Sequence, residues 1–169
     1  YLPLIPPRDT EWALFWGADA PNTPPALPAL TSSNSASEGL AILRDPAKGA
    51  AVYLDYGAGH SGHVHPAKLN ILLFADGDER FVDPGRLPYG NPLHRSWYTQ
   101  TIAHNTVTVD GKSQRRAPGT LLAYTANTAF SIIRATAKHT YKDEVLERTV
   151  LFRGNWILDI VHCTSADDH

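Results

Sequence analysis

The chain has 169 residues, 43% of them hydrophobic, and a formal net charge of −2. That is enough for one domain with a real core, and without a stripe of clustered Lys and Arg it argues against non-specific binding to nucleic acid. A lone cysteine, Cys163, excludes an internal disulfide, and no apolar stretch approaches the roughly 18–20 residues that cross a bilayer.

The chain opens on "YLPLIPP", ends on "TSADDH" and contains no Met. Neither end reads as a natural terminus, so a piece of a longer protein is expected. Residues 9–17, "DTEWALFWG", predict a short helix, with Asp9 or Thr10 as N-cap, Gly17 as the stop and Trp12 and Trp16 on one face. The four prolines and the Ser/Asn cluster of "APNTPPALPALTSSNSASEG" predict a linker or an extended strap. From residue 39 the pattern turns to strands. "LAILR" and "AAVYLDYG" come first, followed by a hairpin around Asp76-Gly77 with strands over 68–75 and 79–83. "HNTVTVDGKSQ" alternates, with Thr106 and Thr108 on one side and Val107 and Val109 on the other, and closes on Asp110-Gly111. "GTLLAYTANTAFSIIRATA" and "EVLERTVLFRGNWILDIVHC" each predict two strands, around Asn127 and Gly154-Asn155. Strands at short, regular spacing give an all-β reading, an antiparallel β-sandwich over 39–169 preceded by residues 1–38. Cys163, at the end of an apolar run, is expected to be a buried structural thiol.

"GHSGHVH", residues 59–65, holds three of the eight histidines. On an extended segment His63 and His65 point to the same face, which aims two imidazoles at one place; the same pair also fits an ordinary polar loop. Asp83, in "RFVDPG", closes the hairpin and returns towards His65, although Asp-Pro-Gly is also a turn signature. His104 opens the segment after it. Together His65, Asp83 and His104 are an acceptable donor set for Zn²⁺. Strand geometry accounts for the first two; it does not bring in His104.

Three pieces, "GHVH" with "KLN", "VDPG" and "TIAHNT", resemble the heparinase II/III-like polysaccharide lyases, a group that includes oligo-alginate lyases. The resemblance covers Gly39 to Gln114 well and the later strands loosely. It implies a toroid-plus-sandwich lyase, with residues 1–38 as the end of an α/α-toroid and its linker, and 39–169 as a sandwich cut at its C-terminal end. It also implies that His65, Asp83 and His104 are the ligands of one structural Zn²⁺, and that His63 faces the substrate cleft near the uronate carboxylate. Ala67 stands where the family usually has Asp, a departure that bears on local hydrogen bonding rather than on the ligands. His60 has no counterpart and is read as a loop residue.

The implied reaction is β-elimination on a uronate-containing polysaccharide, alginate or glycosaminoglycan. It needs a neutralised carboxylate, a base for the C5 proton and an acid for the departing O4. His63 is the candidate catalytic group here; the family's Tyr and Asn-His pair belong to the absent toroid, so the chain alone is expected to be inactive. In the loop between Asp83 and His104, Arg95 offers a planar, permanently charged fork for a carboxylate or sulfate, and Tyr89 a hydroxyl for a sugar; both also read as solvent-facing loop residues. The expected partners are an acidic polysaccharide or oligosaccharide and the toroid of the same protein, with no nucleic acid and no membrane, and a homodimer left open. The resemblance implies a periplasmic or secreted protein. The other reading is a non-catalytic β-sandwich that binds carbohydrate or packs on a partner domain.

Overall fold

The computed structural model describes residues 29–57, 64–127, 129–153 and 156–166. The chain divides into two units, Tyr1–Leu30 and Thr31–His169. The helix expected over residues 9–17 lies outside the described residues, and so do His60 and His63.

The second unit is a pair of antiparallel sheets. The first is a meander of β1 (Ser33–Ser35), β2 (Leu40–Asp45), β3 (Ala50–Asp55), β4 (Asn70–Ala75) and β5 (Asp78–Phe81). The second is β6 (Gly119–Ala126), β7 (Ser131–Lys138), β8 (Val145–Arg153) and β9 (Trp156–Thr164). Period-two patterning decides which side of each strand turns inward. Ala41 and Leu43 on β2, Ile133, Ala135 and Ala137 on β7, and Leu146, Val150 and Phe152 on β8 are buried in one core. Each large apolar side chain buried there is worth about 1.5–3 kcal/mol. Asp76 and Gly77, with φ of 56° and 81°, make the hairpin turn whose twist suits the flanking strands.

Three expectations change. The first sheet starts before residue 39, because Ser33–Ser35 pair with Ile42–Leu40 through the backbone while their side chains stay exposed. That piece of the Pro/Ser-rich stretch carries no proline and can enter a ladder. The segment 104–114 is not a strand; it holds an isolated bridge, Val109 to Lys112. Side chains replace its ladder: Asn70 Oδ1 accepts from Asn105 N at 2.9 Å, and Thr101 Oγ1 from Gln114 N at 2.8 Å. The alternation survives as burial, with Val109 in the core and Val107 packed against it. Cys163 is exposed rather than buried, because β9 is an edge strand among the described residues, paired with β8 on one side. The same edge leaves Trp156, Leu158 and Ile160 at 80%, 54% and 47% exposure.

Between β5 and β6 the chain crosses from one sheet to the other, by way of a π-helical turn at His94–Tyr98 and a 3-10 turn at Thr101–Ala103. This crossover and the turn before β4 carry the site.

Candidate functional site

Two segments interlock at the crossover. Thr106 Oγ1 donates to the Lys68 carbonyl at 2.7 Å, and Lys68 N donates to Gln114 Oε1 at 2.6 Å. Thr101 Oγ1 donates to the Pro66 carbonyl. The Asn105 amide donates to two carbonyls, Ile71 at 3.0 Å and Val82 at 2.8 Å, and so ties the end of β5 to β4. Leu69, between Lys68 and Asn70, has φ of 62°. A Leu in the left-handed region costs of order 1–3 kcal/mol and persists only where its surroundings over-determine it. Here Leu69 N donates to the Asp55 carbonyl at 2.8 Å, and the side chain is 2% exposed.

This framework brings His65, Asp83 and His104 together. His65 Nδ1 lies 3.0 Å from His104 Nε2, and Asp83 Oδ2 lies 3.7 Å from the same nitrogen. His104 Nδ1 sits 2.8 Å from the Gln100 carbonyl, which can only accept, so Nδ1 carries the proton and the Nε2 lone pair faces the other two. Asp83 Oδ1 accepts from Gly85 N at 2.8 Å, leaving Oδ2 for His104. The turn reading of Asp83 and the ligand reading therefore use different oxygens. Burial pushes the His65 imidazole below its usual value, His104 adds to that, and Asp83 opposes it. A neutral imidazole is the form a metal requires.

The donor chemistry fits one Zn²⁺, with a backbone partner holding the second polar atom of His104 and of Asp83. Ligands ~2.0–2.1 Å from a tetrahedral ion sit roughly 3.3 Å apart; the separations of 3.0 and 3.7 Å lie on either side of that value. As the side chains stand, no three His, Cys, Asp or Glu residues among the described residues close on one point. Small rotations of the half-exposed His65 and Asp83 would be needed. Ala67 is buried and closes a turn in which Asn70 N donates to its carbonyl at 3.1 Å.

Beside this group lies a cleft of about 420 Å³, lined by Val64, His65, Pro66, Arg86, Tyr89, His94, Arg95, Thr99, Gln100, Gln114 and Arg116. Tyr89 and Arg95 are thus both at the cleft and both exposed. Arg86 donates to the Tyr89 hydroxyl at 2.8 Å, and its guanidinium lies 5.2 Å from the Tyr89 ring centre. Tyr89 also meets the buried His94 ring edge-on at 4.9 Å. Arg86 and Arg116 were missed in the sequence, although Arg86 follows the Asp-Pro-Gly turn and Arg116 belongs to an adjacent arginine pair. Arg148 was missed too. It interrupts the inward-facing series Leu146, Val150, Phe152 on β8, and that interruption was the available signal.

Residues 29–151 match the model of a family described as Heparinase II/III-like, C-terminal. The chain is 36% identical to an alginate lyase of Stenotrophomonas maltophilia over 44% of its own length and 12% of that protein. Among solved structures it resembles a heparinase III, with a TM-score of 0.75 at 21% identity over 84% of this chain and 23% of that one. It also resembles the heparan sulfate lyase HepC from Pedobacter heparinus, with a TM-score of 0.72 at 21% identity over 82% of this chain and 23% of that one. The chain therefore spans less than a quarter of the length of these relatives.

Proposed function

The chain belongs to the heparinase II/III-like family, in its C-terminal domain, and from that premise we propose that it forms one wall of the substrate cleft of a polysaccharide lyase acting on uronate polymers. The observation that carries this reading is the cleft itself. Three guanidinium groups, Arg86, Arg95 and Arg116, and the Tyr89 hydroxyl gather around His65 in a chain whose net charge is negative. Guanidinium forks suit carboxylate and sulfate groups. β-Elimination builds negative charge on the uronate carboxylate as the C5 proton leaves, so fixed donors there favour the transition state over the ground state. Arg95 and Tyr89 bind and orient the sugar in this scheme. His63 is proposed to donate to the carboxylate or to exchange the C5 or O4 proton, since an imidazole titrates near neutrality.

His65, Asp83 and His104 would hold Zn²⁺, which when bound would supply a rigid link between three separated chain segments. The remaining acid–base groups are proposed to come from the toroid of the same protein, and the same reading proposes that this protein works in the periplasm or outside the cell. The test is a panel of alginate, heparan sulfate and heparin offered to the full-length protein, read as ultraviolet absorbance of the unsaturated uronate product. Growth of that absorbance with one polymer supports the reading. Binding without product, together with unchanged binding in Arg95→Ala, would instead make this a carbohydrate-binding sandwich.

A further inference from the structure

We propose that Arg148 is a positioning residue: a single buried guanidinium that ties the second sheet to both segments bearing the imidazoles. Its side chain is 8% exposed. Nε and Nη2 form a fork on Asp159 of β9, at 2.8 Å to Oδ1 and 2.5 Å to Oδ2. Nη1 donates to the Leu69 carbonyl at 2.7 Å and to the Asn105 carbonyl at 2.5 Å. Leu69 lies four residues after His65, and Asn105 directly follows His104.

A charge on the core face of a strand is a poor way to gain stability, because apolar residues of similar volume usually serve as well. It does something apolar packing cannot. Residues 104–114 lack a strand ladder, so their distance from the turn before β4 rests on side-chain hydrogen bonds and on one long backbone bond, Ile71 N to the Asn105 carbonyl at 3.4 Å. The guanidinium is planar and its donors point in fixed directions, so it sets where both carbonyls lie. Ala135, opposite Arg148 on β7, is small enough to leave it room. Asp159 aims the fork.

The inference rests on the metal reading for one of its two measurements and is independent of it for the other. Asp159→Asn keeps the shape and weakens the fork; Arg148→Lys keeps the charge and removes the plane. Glu147→Gln is the control, breaking the exposed Arg134–Glu147 pair one residue away at 2.6 Å. In the intact, metal-stripped protein, Co²⁺ titration followed by its visible absorbance should show about 10-fold or more weaker binding in the first two variants, the scale of supporting hydrogen bonds around metal ligands. The imidazole NMR signals of His65 and His104 in the metal-free protein should move in both. Glu147→Gln should change neither. Co²⁺ affinity and imidazole signals matching wild type in Asp159→Asn and Arg148→Lys would overturn the proposal. If wild type takes up no Co²⁺, the metal reading fails and the imidazole signals alone decide. If Arg148→Lys does not fold, the isosteric Asp159→Asn decides.

Discussion

The two ring nitrogens of His104 have separate partners, and this division makes the residue-scale predictions sharp. With Nδ1 on the Gln100 carbonyl and Nε2 towards His65 and Asp83, loss of His65 removes one of the two groups beside Nε2. His65→Ala in the full-length protein should lose zinc by metal analysis and melt at a lower temperature; full zinc occupancy would count against the assignment. His63→Ala should keep its zinc and lose roughly 10²-fold or more in kcat, the size of one acid–base or oxyanion-type donor. Zinc lost along with activity would make His63 a ligand. His65 also sets a pH dependence. Its imidazole is held below the ordinary 6.5, so just below that pH the unfolded chain takes up a proton that the folded one refuses. Stability of the metal-free protein should fall as pH drops from about 6.5 through the lowered folded value. Urea midpoints at a series of pH values should show a smaller fall in His65→Gln; an identical fall would remove His65 as its source. At this scale the imidazoles could be read from their spacing and motif. Arg148 could not, because one charged letter in an alternating strand gives no sign of the distant carbonyls it reaches.

At the scale of elements, two glycines with similar backbones make opposite demands. Gly39 and Gly49 have φ of 65° and 59°, yet a Cβ on Gly39 would fall 2.1 Å from Gly57 Cα, whereas one on Gly49 meets nothing within 4 Å. Both substitutions incur left-handed strain; only Gly39→Ala must also push backbone aside. Gly39→Ala should therefore cost at least about 2 kcal/mol more than Gly49→Ala in chemical denaturation. Equal costs would show that the turn at Gly39 can move freely. Elements of this kind were legible where hydrophobic period two met a turn dipeptide, as at Asp76-Gly77. The alternation of 104–114 misled because Val107 and Val109 face the core without a neighbouring strand. Backbone groups of the segment are met by side chains instead: Asn70 Oδ1 accepts from Asn105 N, Thr101 Oγ1 accepts from Gln114 N, and the Tyr141 hydroxyl bridges the Val107 and Lys112 carbonyls.

For the whole molecule, charge is unevenly shared: a net −2 overall, with three arginines around one cleft. Attraction of an anionic oligosaccharide should then be local and salt-sensitive, because screening shortens from ~10 Å at 0.1 M salt to ~3 Å at 1 M. Titration calorimetry should show affinity falling across that range and a shallower fall in Arg116→Ala; salt-independent binding would place the ligand elsewhere. The outer face of β9 behaves differently. An edge strand of nine residues with Trp156, Leu158 and Ile160 uncovered is a ready template for the edge of another chain. Concentrated solutions of this polypeptide should cloud and scatter light over days, and faster on warming. A lysine in place of Ile160, which would project into solvent from the same edge, should keep them clear while leaving the cleft's ligand affinity as it was.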